Sequence, residues 1–264
     1  MKFNLESLCH NAVKIATQTG KDLRETRSSI NPDFKSKGYN DFVTKFDLET
    51  ETKLVKELKQ ILPEAGFIVE ESSIQMENCE YCWIIDPIDG TTNFIHGLFP
   101  YAISIALMKH NIIVLGVVYE IGLDECFYAW ENSSAMLNGN EINVSTVNRV
   151  ADSLIATGFP YTNFSKIDKY MESLQYFMKQ SHGLRRLGSA AVDLAYVACG
   201  RLDAFYEYDL KPWDVAAGTF IVQQAGGKNS DFSGGNNYLF GKEIISTNGV
   251  IHTEFLRETQ YFLK

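Results

Sequence analysis

Apolar positions near the N-terminus recur at the spacing of helices that bury one face. The stripe from Leu5 to Ala16 predicts an amphipathic helix over residues 4–27. A second stripe, from Leu48 to Leu62, predicts another helix, and Pro63 marks its end. We expect a loop between these helices, over Asn31–Tyr39.

The pattern then changes to short runs that are rich in β-branched and aromatic residues, as is typical of strands. Such runs predict strands over Phe67–Glu70, Tyr81–Asp86, Tyr101–Met108, Ile112–Glu120 and Glu125–Trp130. Asn138-Gly139-Asn140 is a turn signal after them. The first half of the chain is therefore expected to be α+β, with a mainly antiparallel sheet.

After about residue 146, predicted strands and helices alternate. The strands cover Leu154–Thr157, Asp203–Glu207 and Glu243–Ser246, and the helices cover 165–180, Ser189–Cys199 and Val215–Ala225. Alternation of this kind predicts an α/β layered arrangement. We place a soft boundary near residues 140–150, which divides the chain into an N-terminal α+β part, 1–145, and a C-terminal α/β part, 146–264.

The composition narrows the possible classes of function. A length of 264 residues and a hydrophobic fraction of 45% allow a sizeable core. The net charge of −9 argues against a nucleic-acid surface, which needs a basic footprint. It leaves open a small phosphorylated substrate, because a metal ion can supply local positive charge.

The five cysteines are scattered along the chain. Cys79 and Cys82 have CxxC spacing, but no second pair or supporting histidine accompanies them. We therefore expect reduced thiols in a cytoplasmic protein rather than a zinc site. No targeting segment is visible, and no apolar run approaches the roughly 18 residues of a membrane span.

The segment Trp83–Asn93 carries the most informative candidate chemistry. Asp86 ends a buried apolar run, and Pro87 holds it in an extended conformation. The chain then turns, so that Asp89 can lie beside Asp86 and the Ile88 carbonyl can face the same point. Hard oxygen ligands of this kind suit Mg²⁺.

Gly90 and Thr91 follow at the point where a helix could begin. Free backbone N–H groups at a helix N-terminus bind phosphate oxygens, so the segment could place an anion site beside a cation site. The alternative is a tight turn with two capping aspartates, and the segment alone leaves both interpretations open.

Other acidic positions have two interpretations each. Glu70 and Glu71 close a predicted strand, either as metal ligands or as an exposed acidic turn. Asp47 precedes a predicted helix and Asp214 starts one, where Asp is a favoured N-cap. Taken singly, each position is more typical of a cap or a turn than of a ligand.

Taken together, these positions resemble the inositol monophosphatase family, within the lithium-sensitive, Mg²⁺-dependent phosphatase superfamily. The resemblance extends over nearly the whole chain, and the motifs Asp86–Thr91 and Trp213–Gly218 are its most specific part. The other matching segments are Asp41–Asp47, Glu70–Ser72, Leu187–Ala191 and Gly200–Glu207. One departure is Val69, where the family usually has a small residue.

The resemblance implies a metal centre with two or three Mg²⁺ ions, or Mn²⁺ in their place. The first ion would be held by Glu70, Asp86 and the Ile88 carbonyl. The second would be held by Asp86, Asp89 and Asp214, and a third, weaker ion would lie near Glu70. Lithium would inhibit by taking the second position.

The resemblance also implies roles in catalysis and substrate binding. Asp47 and Thr91 would orient and deprotonate the attacking water, with Glu71 in support. Gly90 and Thr91 would contact the phosphate, and Glu207 and the turn Gly188, Ser189, Ala190 would contact the alcohol. Asp214 would be a further substrate contact. The implied fold is a layered α-β-α-β-α sandwich, usually assembled as a homodimer.

The implied reaction is hydrolysis of inositol 1-phosphate or a related small phosphate monoester. The metal motif does not separate this substrate from NADP(H) 2′-phosphate, fructose 1,6-bisphosphate, a nucleotide 3′-phosphate or histidinol phosphate. Arg185-Arg186, Lys35 and Lys37 could bind an additional phosphate or could be solvated surface or dimer contacts. A regulatory binding protein that keeps the fold is a further alternative, and the intact carboxylate set argues against a purely non-catalytic role.

Overall fold

Two sheets and seven α-helices make up the part of the chain that the computed structural model describes, residues 3–29, 39–72 and 79–263. The helices are α1 (Leu5–Ser29), α2 (Tyr39–Ile61), α3 (Thr91–His96), α4 (Ile167–Gln180), α5 (Ala190–Ala198), α6 (Pro212–Gln224) and α7 (His252–Leu263). The strands are β1 (Gly66–Val69), β2 (Tyr81–Asp89), β3 (Ala102–Lys109), β4 (Ile112–Glu120), β5 (Glu125–Trp130), β6 (Ala135–Leu137), β7 (Asn140–Ile142), β8 (Leu154–Thr157), β9 (Gly183–Arg185), β10 (Ala204–Tyr208), β11 (Lys228–Ser230) and β12 (Glu243–Thr247). None of the helices within these ranges combines the length and apolar character needed to cross a bilayer.

The first sheet runs from β1 to β7 in sequence order. Its β1–β2 pair is parallel, and each later pair of neighbours is antiparallel. The second sheet has the order β11-β12-β10-β8-β9. Its β10–β8 and β8–β9 pairs are parallel, and its β10–β12 and β11–β12 pairs are antiparallel.

Helices separate and cover the two sheets. α1 and α2 contact the first sheet, α5 and α6 contact strands of both sheets, and α4 and α7 contact each other and the second sheet. The resulting order of layers confirms the α-β-α-β-α sandwich. Each sheet falls within one of the two predicted parts, 1–145 and 146–264, although the division into domains stays a prediction.

Strand β2 explains the continuous apolar run before the acidic segment. Tyr81, Trp83 and Ile85 pack in a core shared with α1 and α2. Cys82 and Ile84 pack in a second core, shared with α5 and α6. Successive strand residues point to opposite faces, and helices cover both faces here. Burying a large apolar side chain contributes about 1.5–3 kcal/mol, so this strand is firmly anchored.

Two helices begin earlier than their apolar stripes predict. α2 begins at Tyr39 rather than Leu48, so Asp47 lies within the helix and is not its N-cap. α6 begins at Pro212, which places Asp214 inside the first turn. Tertiary packing can stabilise helical turns that lack an apolar stripe, so the hydrophobic pattern alone misses them.

Other differences between the predicted and observed elements are smaller. β2 continues past its predicted end at Asp86 to Asp89. The strands β6, β7, β9 and β11 have three residues each, too few for a periodic signal, and α7 was also missed. The predicted loop over Asn31–Tyr39 lies outside the described residues, apart from its last position. The five cysteines are free thiols, in agreement with the prediction.

Candidate active site

The end of β2 supplies two acidic side chains. Pairing with β3 is regular up to Asp86 and resumes at Asp89 after a shift in register. In a regular strand, residues three apart point to opposite faces, and an irregularity of this kind re-aims them. A carboxylate oxygen of Asp86 lies within 4.8 Å of one from Asp89.

The first turn of α6 brings a third carboxylate to the same point. Ser104 on β3 donates a hydrogen bond of 3.1 Å to the carbonyl of Trp213, which ties the start of α6 to the first sheet. The Oδ2 atom of Asp214 accepts the backbone N–H of the N-cap residue at 2.7 Å. An oxygen of Asp214 lies within 4.8 Å of the oxygens of both Asp86 and Asp89.

The three carboxylates destabilise one another as anions. Burial and then the neighbouring acids raise the pKa of Asp86 well above its ordinary value, and burial and then Asp89 do the same to the pKa of Asp214. Burial raises the pKa of Asp89 to about 6, against the opposing hydrogen bonds from Ser189 (2.6 Å) and the Ala191 N–H (2.7 Å). A divalent cation would relieve this repulsion, and an all-oxygen donor set suits Mg²⁺ or Mn²⁺. The residues present therefore fit the ions that the resemblance implies.

Two further candidate ligands border this cluster. Glu70, directly after β1, shares a hydrogen bond with Asp86. Asp86 also accepts the backbone N–H of Ile88 at 3.0 Å. The Ile88 carbonyl in turn accepts the hydroxyl of Thr91 at 2.9 Å. The structure thus brings these four residues together at the end of β2.

Asp47 reaches the site region from the interior of α2 and is only 2% exposed. Its Oδ1 atom has no hydrogen-bond partner within the described part of the chain. Burial, followed by the charges of Glu71, Glu70 and Glu51, raises the pKa of Asp47 to about 8. The Thr91 hydroxyl is bonded to Ile88, so the pairing of Asp47 with Thr91 stays a prediction.

Glu51 is a site residue that the sequence reasoning missed. Its buried carboxylate accepts the backbone N–H of Glu71 at 2.8 Å and the N–H of Ser72 at 3.0 Å, together with the Ser72 hydroxyl at 2.5 Å. These bonds hold the turn after β1 that carries Glu70 and Glu71. The available signal was its position four residues after Asp47, on the same face of α2.

The backbone at Gly90 is tightly enclosed. Its φ of +91° lies in the left-handed region, and a Cβ there would come within 3.1 Å of the carbonyl oxygens of Gly188 and Pro100. Glycine is therefore strongly favoured at this position. The side-chain amide of Asn93 donates to the carbonyls of Pro100 and Leu187, both at 2.8 Å. These bonds place the start of α3 beside the loop that precedes α5.

A pocket of about 250 Å³ opens between these elements. Of the predicted site residues, those that line it are Glu70, Asp86, Ile88, Asp89, Gly90, Thr91, Gly188, Ser189, Ala190, Glu207 and Asp214. The remaining two, Asp47 and Glu71, are not among the lining residues. The structure therefore gathers the proposed metal, phosphate and alcohol contacts from both sheets around one cavity.

The pocket lining also contains residues that the sequence reasoning did not single out. They include Gly158, Phe159, Tyr161 and Asp193. Arg186 lines the pocket as well, and it donates a 2.8 Å hydrogen bond to the Tyr161 hydroxyl and lies over the Phe159 ring. Its neighbour Arg185 is exposed and donates to a backbone carbonyl instead. Lys35 and Lys37 lie outside the described residues.

The sequence profile of the inositol monophosphatase family matches residues 4–262. The chain belongs to this family. Its members are generally metal-dependent and act on small phosphate substrates, in keeping with the acidic cluster and the small pocket.

Individual relatives carry different names. The chain is 38% identical over 241 residues to the Nus factor SuhB of Escherichia coli, with 90% of each chain covered. It is 37% identical over 246 residues to the fructose-1,6-bisphosphatase/inositol-1-monophosphatase of Thermotoga maritima, with 93% of each chain covered. The crystal structure of the extragenic suppressor protein SuhB from Bartonella henselae superposes with a TM-score of 0.86 at 37% identity, covering 96% of this chain and 99% of that one. Membership of the inositol monophosphatase family is thus supported by both sequence and fold.

Proposed function

We propose that this protein is a Mg²⁺-dependent phosphomonoesterase that hydrolyses inositol 1-phosphate and related small phosphate monoesters. The observation that carries the proposal is the approach of Asp86, Asp89 and Asp214 to within 4.8 Å of one another at the edge of a small pocket. Carboxylates held this close have raised pKa values and favour a divalent cation.

The metal assignment follows from the donor set. Glu70, Asp86 and the Ile88 carbonyl would hold one ion, and Asp86, Asp89 and Asp214 would hold another. A third ion near Glu70 and replacement by Mn²⁺ are both compatible with all-oxygen ligands. When bound, two such ions would supply an acidified water and charge stabilisation for the departing alkoxide.

Asp47, Thr91 and Glu71 act on the proton of the attacking water. Burial and the charges of the neighbouring glutamates raise the pKa of Asp47, which makes its carboxylate a stronger base. The Thr91 hydroxyl, now bonded to Ile88, can reorient by rotation about its C–O bond, since a hydroxyl both donates and accepts. Glu71 supports the site from the turn that Glu51 holds.

The phosphate contacts the backbone at Gly90 and Thr91, where the first N–H groups of α3 have no partner within the helix. The alcohol faces Glu207 and the loop from Gly188 to Ala190. A cavity of about 250 Å³ accommodates a single sugar-alcohol ring, whereas a dinucleotide such as NADP(H) would extend beyond it. We expect several small monoesters to be hydrolysed, because few polar contacts fix the alcohol.

Fructose 1,6-bisphosphate is the second candidate substrate. The Arg186 guanidinium also lines the pocket and could pair with a second phosphate. The name of the Thermotoga maritima relative includes both activities. Fructose 1,6-bisphosphate therefore belongs in the first substrate screen.

A homodimer is part of the proposal. Leu98, Phe99 and Leu123 are 59–61% exposed, and the Phe99 ring lies directly over Gly122. Exposed apolar residues that cluster in this way favour a protein–protein contact. Light scattering should give twice the 29.8 kDa chain mass, and a monomeric mass would contradict the assignment.

A phosphate-release assay tests the proposed activity. Inositol 1-phosphate, fructose 1,6-bisphosphate and NADP⁺ are compared in Mg²⁺ and in excess EDTA. We expect Mg²⁺-dependent release that is fastest with inositol 1-phosphate and is lost in Asp214→Asn. The matched control is Glu120→Gln, which changes a buried carboxylate outside the pocket and should remain active. Full activity in EDTA, or no release from any ester, would overturn the proposal.

A further inference from the structure

Asp193 is a buried acid on the pocket wall, 1% exposed and on the second turn of α5. It follows Ser189 by four residues, so both side chains lie on the same face of the helix. Ser189 donates its hydroxyl to Asp89 and thereby faces the acidic cluster. Asp193 lies on this face, and the neighbouring charge that most raises its pKa is that of Glu207 on β10.

The Asp193 carboxylate lacks the contacts that usually accompany a buried acid. Its Oδ1 atom is shielded from solvent and has no hydrogen-bond partner within the described residues. The charges of Glu207 and Asp89 disfavour its ionised form further, and Arg186 offsets them only in part. An unpaired buried polar atom costs about 1–3 kcal/mol, so this oxygen destabilises the fold.

The fold also leaves space for the side chain of Glu207. It is 7% exposed and lines the same pocket. A Cβ at Gly158 would collide with both carboxylate oxygens of Glu207, so the glycine makes space for this side chain. Two acids whose charges interact thus line the pocket, together with Arg186.

We propose that Asp193 is a specificity-determining residue that, with Glu207, binds the hydroxyl groups of a polyhydroxylated alcohol. This inference rests on the proposed phosphatase function and deepens it. A carboxylate pair accepts hydrogen bonds from vicinal hydroxyl donors. A second phosphate at this point would face two acids, and Arg186 already neutralises part of their charge, so a neutral polyol fits better than an anion or an amine.

The test compares two phosphate esters that differ in the alcohol. Inositol 1-phosphate has five free hydroxyls, whereas phenyl phosphate has none. In Asp193→Ala we expect KM for inositol 1-phosphate to rise about 10- to 100-fold, the loss expected when a buried hydrogen-bond partner of the substrate is removed. KM for phenyl phosphate should change by less than about threefold, and Asp193→Asn should recover part of the affinity for inositol 1-phosphate.

Thermal unfolding of the metal-free protein provides a second readout. Removal of an unpartnered carboxylate should leave the Tm of Asp193→Ala unchanged or raised. The control is Asp203→Ala, because Asp203 is buried outside the pocket and accepts the Ser145 hydroxyl and the Leu154 N–H, at 2.5 and 2.6 Å. This control should lower Tm and leave the ratio of the two KM values unchanged.

Equal KM changes for both esters would overturn the assignment of Asp193 while leaving the phosphatase function intact. A lowered Tm in Asp193→Ala with unchanged KM values would also overturn it, because the carboxylate would then be structural. A larger loss with O-phosphoethanolamine than with inositol 1-phosphate would show that the acids bind an amine instead. If the wild-type protein hydrolyses none of the esters, the proposed function itself fails.

Discussion

Buried carboxylates in this protein have two kinds of surroundings, and the first kind lies away from the pocket. Glu120, at the end of β4, is fully buried and accepts the backbone N–H groups of Gly122 and Leu123. Asp203 accepts a hydroxyl and a backbone N–H in the loop before β10. Each of these acids accepts hydrogen bonds from the protein in place of those it would accept from water, and these bonds hold a turn or a strand end.

The second kind lies at and around the pocket. Asp47 and Asp193 each have a shielded oxygen without a hydrogen-bond partner in the described chain. Asp86 is 2% exposed and lies against other acids. Each unpaired buried group costs about 1–3 kcal/mol, so this region is less stable than it could be. The contrast teaches that acids kept for a ligand lie against one another or retain an oxygen without a partner among the described residues, whereas burial alone does not distinguish them from structural acids.

The largest expected effect is on kcat, and it distinguishes Asp47 from the structural acids. Asp47→Asn should lower kcat by roughly 10²–10⁴-fold, the usual range for a lost general base. The helix begins eight residues earlier, so a lost N-cap could not explain the result. Steady-state kinetics of Asp47→Asn are compared with those of the control Glu120→Gln. A kcat near the wild-type value for Asp47→Asn would contradict the catalytic role.

A somewhat smaller effect is expected at the metal cluster. Asp89→Asn should lower kcat by roughly 10²–10³-fold, as is typical when one electrostatic stabiliser of a transition state is removed. The Mg²⁺ concentration for half-maximal rate should also rise. A variant whose Mg²⁺ dependence matches that of the wild-type protein would place Asp89 outside the metal centre.

A substitution of Glu51 tests whether a hydrogen-bonded acid supports the site indirectly. Glu51→Gln should raise the Mg²⁺ requirement roughly 10- to 100-fold, because it loosens the turn that positions Glu70. Saturating Mg²⁺ should restore most of kcat. The matched control is Glu49→Gln, an exposed glutamate on the same helix. Equal effects of both substitutions would contradict a positioning role for Glu51.

The smallest expected effect is on stability and its dependence on pH. The pKa of Asp47 is raised in the folded state to about 8, so its ionisation opposes folding. Below the unfolded pKa of roughly 4 this cost is absent, and it grows as the pH rises toward 8. Metal-free Asp47→Asn should therefore gain about 1–3 kcal/mol over the wild-type protein by pH 8, and little at pH 4. Urea denaturation at both pH values measures this difference, and a constant difference would contradict the shifted pKa.

Sequence reasoning reached the groups whose local pattern is distinctive. Asp86, Asp89 and Gly90 follow a buried apolar run directly, and that context marks them without knowledge of the fold. The layered fold and the grouping of the predicted pocket residues were also accessible, largely through the family resemblance. The register shift between Asp86 and Asp89 was not, because it depends on pairing with β3.

Residues that reach the site only through tertiary packing could not be predicted from the sequence. Glu51 has the spacing of an ordinary helix residue, and only the packing of α2 against the turn after β1 reveals its hydrogen bonds. Asp193 is a single acid within an apolar helix, and its proximity to Glu207 depends on how α5 packs against β10. Gly158 resembles any loop glycine after a strand, and only the packed structure shows that it leaves space for Glu207.

Thermal unfolding during a Mg²⁺ titration tests the central claim most directly, namely that the clustered acids Asp86, Asp89 and Asp214 form a divalent cation site. A ligand at about 100 times its Kd stabilises the folded state by about 2.7 kcal/mol, which corresponds to about 5–10 °C in a protein of this size. We predict a saturable rise of this order in the wild-type protein and a much smaller one in Asp86→Asn, with Glu120→Gln behaving like the wild type. Equal Tm values in millimolar Mg²⁺ and in EDTA, or the same rise in Asp86→Asn, would contradict the account.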